Sequence, residues 1–259
     1  MKRSKISYCD YSGGDLNFVT GCTPVSAGCA NCYARAIYER FGRDFSQVRT
    51  HPDKLERLRK AGFSQENNVR GPHARPLCFV CDTGDLFHEH VPAGFITYAF
   101  EVMESRDDVV WQVLTKRAKR MVDVLFGEEG GWFLGGGDYI ENVWLGVTAE
   151  NQAMADARIP VLLDNWTGVT WVSVEPMLEL VDLRPWLYAH VDRPNERLDW
   201  VVAGAESGPN RRSFDLRWAA SLKRQCATAG VSFFGKQSSG LRPGVPLVIE
   251  GSEWKAWPR

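Results

Sequence analysis

The sequence predicts a single α/β domain over residues 1–259, a full or partial (β/α) TIM-like barrel with parallel strands. Three observations lead there. Short apolar runs alternate with longer helical patterns, the order of βαβ units that feed a parallel sheet. The runs are nearly continuous in Val, Leu, Phe and Trp, as in strands covered on both faces. The length of 259 residues suits one barrel of about 250 residues.

In chain order, the predicted strand 16–20 is followed by Gly21-Cys22 and then by helices over 33–43 and 52–61. Strand 77–80 leads into Cys81-Asp82-Thr83-Gly84-Asp85 and helix 93–105. Strand 109–114 leads into Thr115-Lys116-Arg117 and helix 117–126. Strand 143–147 leads into Thr148-Ala149-Glu150-Asn151 and helix 151–163. Strand 169–174 carries Ser173 and ends at Glu175-Pro176. Strand 200–204 ends at Gly204-Ala205-Glu206-Ser207, ahead of helix 216–229. Strand 231–234 ends at Gly235-Lys236-Gln237, and 247–249 is an eighth candidate strand. Segments 127–138 and 188–197 read as loops. In a parallel barrel all the strand ends converge on one rim, where such folds put their sites. A polar or charged group thus stands at nearly every position of that rim; loop polarity alone is the plainer explanation of the pattern.

Formal net charge is −1, from 31 basic and 32 acidic side chains. No global positive field draws nucleic acid, though a local basic groove stays compatible with that balance. No stretch of about 18 apolar residues predicts a membrane span, and the basic start, Met-Lys-Arg-Ser-Lys, has no apolar run after it. Seven cysteines is an odd number, in a chain long enough to do without disulfides. A reducing cytoplasm is therefore the predicted setting, where clustered cysteines more often bind metal.

The cluster is Cys22, Cys29 and Cys32, spaced C-x6-C-x2-C in a Gly-rich loop over 21–33. Gly21 and Gly28 permit a tight wrap. Cys29 and Cys32 stand just ahead of a helix, whose amino end favours thiolate. Three thiolates are one short of the four that close an electron-carrying cluster or a structural zinc site. A four-iron cluster, [4Fe-4S], with one open iron fits that shortfall. The alternatives are a zinc site completed by Cys9 or a His, a joint site with Cys78 and Cys81, and thiols that bind no metal. Strand alternation sends Cys78 and Cys81 to opposite faces, so only one of them reaches a barrel interior.

A three-cysteine cluster after the first strand of a βα barrel resembles the radical S-adenosylmethionine (SAM) superfamily. The spacing departs from that superfamily's C-x3-C-x2-C, and Asn31 stands where an aromatic residue is usual. The whole chain is more similar to a family of phage and prophage proteins known for a three-cysteine motif. The marks are Val19-Thr-Gly-Cys-Thr-Pro-Val-Ser-Ala-Gly-Cys-Ala-Asn-Cys-Tyr-Ala34, Asp85-Leu-Phe-His88, Leu114-Thr-Lys-Arg117, Trp144-Leu-Gly-Val-Thr-Ala-Glu-Asn151, Ser173-Val-Glu-Pro176, Gly204-Ala-Glu-Ser-Gly-Pro209 and Phe233-Phe-Gly-Lys-Gln237. The resemblance implies SAM bound at the open iron, a reductant such as flavodoxin or ferredoxin, and a 5′-deoxyadenosyl radical as the reactive species. It implies that Thr83, Gly84 and Asp85, with Asp82 as alternate, hold the methionine amino group. It assigns Lys116 or Arg117 to the carboxylate, and Thr148, Glu150 and Asn151 to the ribose hydroxyls. Ser173, Glu175 and Glu206 complete the cofactor set, and Gly204 admits the backbone close to adenine.

For Glu150 and Asn151 the competing role is helix capping; for Glu206 it is a structural pair with Arg211 or Arg212. Arg211, Arg212, Lys236 and Gln237 are the candidate substrate contacts, with Arg35, Arg40 and Arg43 as a more distant basic rim; ordinary solvated surface is the alternative. Packing is the commoner role for His88 and His90. The phage resemblance suggests a nucleic-acid base or nucleoside as substrate, through DNA hypermodification, such as rearrangement of a modified thymidine, or base repair. Two other classes compete: a zinc-stabilised nucleic-acid-binding module without catalysis, and a metal-free hydrolase using Glu175 and Glu206 as acid and base.

Overall fold

Segments that are apolar at successive positions have to be covered on both sides, and they form the central sheet. The computed structural model describes residues 3–63, 70, 74–127, 139–189 and 197–258. Nearly all of the predicted loops 127–138 and 188–197 lies outside the described residues. The strands are β1 (Val19–Thr20), β2 (Arg49–Thr50), β3 (Leu77–Phe79), β4 (Val110–Thr115), β5 (Val143–Thr148), β6 (Thr170–Val174), β7 (Trp200–Gly204), β8 (Ser232–Gln237), β9 (Val248–Ile249) and β10 (Ser252–Glu253). The α-helices are α1 (Tyr33–Arg40), α2 (Pro52–Lys60), α3 (Ala93–Glu104), α4 (Ala118–Leu125), α5 (Gln152–Leu163) and α6 (Leu216–Ala229). Strands β3 to β8 pair in sequential order, all parallel. The result is a six-stranded curled half-barrel in one α/β domain. A closed barrel does not form among the described residues: β3 and β8 are its two edges.

Two predicted strands are corrected. Segment 16–20 does not join the parallel ladder as a regular strand; β1 pairs antiparallel with β2 instead. Gly13 and Gly14 take positive φ (74° and 58°) and lead into a 3-10 turn over Gly14–Leu16, so the segment starts in a turn and only Val19–Thr20 is extended in a ladder. The segment still covers the β3 edge with scattered bonds, Phe79 N–H to Tyr11 O (2.9 Å), Cys81 N–H to Leu16 O (2.9 Å) and Gly21 N–H to Thr83 O (2.9 Å). Segment 247–249 likewise stays out of the barrel, because β9 and β10 form their own antiparallel pair. The β8 edge is covered by the chain near Trp254, whose carbonyl accepts from Gly235 N–H at 2.7 Å. Covered edges leave no free ladder for another chain to extend.

Strand alternation divides the core in two. Trp111, Val113, Leu145, Val147, Val172, Val201 and Phe233 pack in the cluster shared with the helices. Leu77, Phe79, Val110, Trp144, Trp171, Trp200, Val202 and Phe234 point to the concave side. There Tyr8 meets Phe79, Trp171, Trp200 and Phe234 edge-on, with centroids 5.6–6.0 Å apart. Trp257 closes the same cluster, its indole N–H donating to Tyr8 O at 3.0 Å. The lower half of the concavity is therefore an aromatic floor. Toward the strand ends, the same alternation leaves Gln112, Thr148, Ser173, Gly204 and Lys236 on the concave side.

Gly146 is where the floor constrains backbone chemistry most tightly: a Cβ there would lie 2.5 Å from the Trp171 ring. Gly146→Ala forces the indole or the strand to shift. The expected loss is about 1–3 kcal/mol of unfolding free energy, the cost of overpacking, read by urea denaturation. A Gly146→Ala protein as stable as the parent contradicts this packing.

Candidate functional site: a three-cysteine cavity at the strand ends

The loop from Gly21 to Cys32 lies across the carboxyl ends of the strands. Two close backbone approaches seat its start. Gly21 (φ 84°) leaves no room for a side chain, since a Cβ would fall 2.2 Å from Gln47 O. Gly84 faces it in a parallel bridge, and a Cβ there would lie 2.8 Å from Val19 O. Cys22 N–H then donates to Phe45 O at 2.8 Å.

Three charged side chains, each from a different strand end, grip the rest of the loop. Arg117, just past β4, reaches it with both terminal amino groups. Its Nη1 donates to Cys22 Sγ (3.4 Å) and Asp85 Oδ2 (3.1 Å), its Nη2 to Thr23 O (3.0 Å) and Thr23 Oγ1 (3.2 Å). Its Nε donates to Glu89 at 2.9 Å. Glu150, past β5, is fully buried; it accepts from Gly28 N–H (3.1 Å) and from the Ser26 side chain, and pairs with Arg158 of α5 at 3.0 Å. Gly28 has no room for more, since a Cβ would lie 3.0 Å from the Glu150 carboxyl carbon. Glu206, past β7, accepts from Asn31 Nδ2 (3.0 Å) and Arg212 N–H (2.7 Å) and forms an ion pair with the Arg212 side chain. Arg212 Nη1 in turn donates to Ala27 O at 3.0 Å.

The His88 ring adds a fourth contact, Nε2 to Thr23 Oγ1 at 2.8 Å. His88 Nδ1 accepts from His90 N–H (3.0 Å), so Nε2 carries the proton and donates. Burial, with the Arg117 charge, holds the His88 pKa below its ordinary value, which keeps the ring neutral.

This scaffold brings Cys22, Cys29 and Cys32 to the wall of one cavity of about 160 Å³. Gly84, Asp85, Lys116, Arg117 and Thr148 share that wall. Phe79 and Leu114 extend the apolar floor beneath it. The enclosed volume is below the roughly 300–1,000 Å³ of pockets for drug-sized ligands. It has room for a compact centre, with anything larger projecting through the mouth.

The thiols differ. Burial, then the Asp85 charge, pushes Cys22 up to about 11, against the opposing pull of Arg117. Burial also pushes Cys29 up, but hydrogen bonds from the Val25 and Ser26 backbone and the Lys116 charge outweigh it and leave its thiol below the ordinary value. Cys32 is the residue at the amino end of α1. Among the described residues, no three His, Cys, Asp or Glu side chains stand together as a ready-made site for one ion. The donor set itself is of the kind a cluster takes, with soft sulfur ligands beside cationic groups that offset thiolate charge.

The remaining predicted site residues lie off the cavity wall. Thr83 contributes its carbonyl to Gly21 N–H. Glu150 and Glu206 are loop clamps, and Asn151 caps α5, its Oδ1 accepting from Met154 N–H at 2.9 Å. Ser173 is buried and its carbonyl accepts from Ala149 N–H. Glu175 pairs with Lys236 at 2.7 Å, beside Gly204, where a Cβ would lie 3.3 Å from the Glu175 carboxyl. Gln237 bridges Ala205 O and Gly244 N–H. Arg211 donates to Gly208 O at 3.1 Å. Cys81 reaches the cavity wall and Cys78 does not. Sequence reasoning missed Tyr33 and Arg35 as cavity residues and Arg158 as the partner of Glu150. Tyr33 and Arg35 follow Cys32 directly, which was the available signal; Arg158 is two helical turns from Glu150 and gave none.

The molecule is thus an α/β half-barrel protein with a cavity at its strand ends that is lined by the three loop thiols and by Cys81. Residues 3–245 match the family described as "Protein of unknown function (DUF5131)", and the chain belongs to that family. No curated protein and no solved structure matches the chain.

Two outcomes follow. Iodoacetamide at neutral to mildly alkaline pH alkylates Cys29 faster than Cys22, because only the thiolate reacts; peptide mass spectrometry against time reads the order, and equal rates contradict the assigned environments. Glu150 and Glu206 are both held below the usual carboxylate range, against the cost of burial, by hydrogen bonds and their arginine partners. Their contribution is complete above the unfolded carboxyl pKa of about 4.3 and is lost as pH falls through the lowered folded values. Amide exchange of the loop should therefore quicken only in acid, and faster exchange on raising the pH from 5 to 7, beyond the intrinsic base-catalysed rise, runs against this sign.

Proposed function

We propose that this chain is a radical SAM enzyme, with a [4Fe-4S] cluster on Cys22, Cys29 and Cys32, acting on a nucleic-acid base or nucleoside. One observation carries the reading: three thiols from a single clamped loop line one cavity, while the fourth thiol on that wall, Cys81, comes from the end of β3 and is buried, which pushes its pKa up and disfavours the thiolate a ligand needs. When bound, the cluster and SAM supply a one-electron cleavage of the sulfonium and a carbon-centred radical. The chain's own residues prepare the place for this. Cys29 is presented with an acidified thiol, and Arg117 donates an N–H to the Cys22 sulfur. Lys116 has no acidic partner among the described residues and stands on the cavity wall, suited to a ligand carboxylate. Thr148 offers a hydroxyl on the same wall. Phe79 and Leu114 keep the base of the cavity dry, which protects a reactive intermediate from side reactions.

Anaerobic addition of iron and sulfide should give a brown protein that releases 5′-deoxyadenosine from SAM when reduced, measured by liquid chromatography and mass spectrometry. Cys22→Ala, Cys29→Ala and Cys32→Ala should each abolish that release. A colourless protein that holds zinc tightly, or a brown one that leaves SAM intact, would falsify the proposal. Arg117→Met removes one member of a buried pair and should cost about 3–5 kcal/mol of stability, read by chemical denaturation, with loss of iron on reconstitution.

A further inference from the structure

Helix α1 starts at the cavity and runs outward from it, and its two faces are unlike. Ala34 is buried, and Tyr38 meets Phe45 edge-on at 5.0 Å, so that side packs against the protein. Bordering that packed side, Tyr33 and Ile37, with Phe41 at the carboxyl cap of the helix, follow one another at intervals of four, the spacing that aligns side chains along one helix face. They are 54%, 42% and 69% exposed. Apolar side chains this open, in line, and beginning at a cavity wall mark a contact surface better than scattered ones do.

Among the described residues, cationic groups near this ridge and at the adjoining cavity wall are also without acidic partners. Arg35, Arg40 and Arg43 have no acidic partner among the described residues, and Arg35 lines the cavity. Many other arginines, among them Arg57, Arg106, Arg117, Arg158 and Arg212, are in ion pairs, while Arg49, Arg59 and Arg211 bond to neutral groups. Of the acidic groups nearby, Asp44 is engaged by Ser46 at 2.7–2.8 Å, and Glu39 is the single carboxylate of α1. Exposed rings interleaved with free guanidinium groups are the two parts of a single-strand nucleic-acid surface: bases stack on the rings and phosphates meet the cations.

We infer that the exposed side of α1 and the turn after it, with Tyr33, Ile37, Phe41, Arg40 and Arg43, dock single-stranded nucleic acid and lead it to the cavity mouth, where Arg35 lies on the wall. Tyr33 is the junction, because it lines the cavity and is anchored by its hydroxyl to Asp82 O. The inference rests on the proposed function only for the substrate class; binding is measurable without any turnover.

The test is fluorescence anisotropy with a short fluorescein-labelled single-stranded deoxyoligonucleotide of mixed sequence, the matching ribo-oligonucleotide, and the deoxy duplex. The protein is iron-loaded wild type and, in parallel, Cys22→Ala. Single strands should bind more tightly than duplex, and the tighter of the two single strands identifies the sugar. Three phosphate contacts give a slope of about −2 for log affinity against log salt, and Arg40→Ala with Arg43→Ala reduces it by about 1.4. Phe41→Ala should weaken binding about fivefold or more, the loss of one stacked base. No binding of either single strand at low salt overturns the inference, as does duplex binding of equal strength. So does binding that ignores Phe41→Ala and the double arginine variant. If Cys22→Ala binds normally but the wild type never cleaves SAM, the docking surface stands and the radical reading fails; the opposite result fails the docking surface alone.

Discussion

The cysteine loop is held in place by buried charge. Arg117, Glu150 and Glu206 leave three different strand ends and bond to Cys22 and Thr23, to Gly28, and to Asn31 respectively. The loop's own secondary structure is a single short 3-10 turn at Ala27–Cys29, so its shape is set from outside. Backbone bonds of Gly21 and Cys22 seat the start of the loop, and these side-chain contacts hold the rest of it. Taking such charges out of water costs about as much as their attraction returns. Their role is positional more than stabilising: each clamp fixes both where the loop sits and which cations lie beside the thiols.

The half-barrel makes this possible by dividing labour along each strand. Its lower concave side is filled by Tyr8, Trp144, Trp171, Trp200 and Phe234. That floor is rigid and apolar, and Gly146 shows how little slack it has. The strand ends above it then offer fixed starting points for Lys116, Arg117, Glu150, Glu175 and Glu206. The covering of the open β3 edge by the segment that leads into Gly21 ties the loop's origin to the same frame. Fold and site are therefore coupled at the residues that cover the β3 edge.

Local patterns were legible in the sequence, and pairings across the fold were not. The six helices lie within a few residues of their predicted spans because each is a periodic segment read from its own residues. The strands β3 to β8 were legible as apolar runs for the same reason. Segment 16–20 misled because its apolar content looked like a strand, while Leu16 belongs to the 3-10 turn that starts at Gly14. The cysteine loop and Lys116 stood out by composition and position, and both reach the cavity. Glu150 did not reveal itself as a clamp, because its partners Gly28 and Arg158 are fixed only by the three-dimensional register of β5 against the loop. The weighed pairing of Glu206 with Arg212 is present; its grip on Asn31 and Ala27 follows from tertiary contact alone.

The family match leaves chemistry to be read from the residues, and the thiol arrangement is where that reading is most exposed. Mössbauer spectroscopy of protein reconstituted anaerobically with Mössbauer-active iron addresses it directly. A four-iron cluster on three protein thiolates should show one iron whose signal moves when SAM is added while the others stay. Four equivalent irons indifferent to SAM, or iron that never assembles into a cluster on this loop, contradict the account.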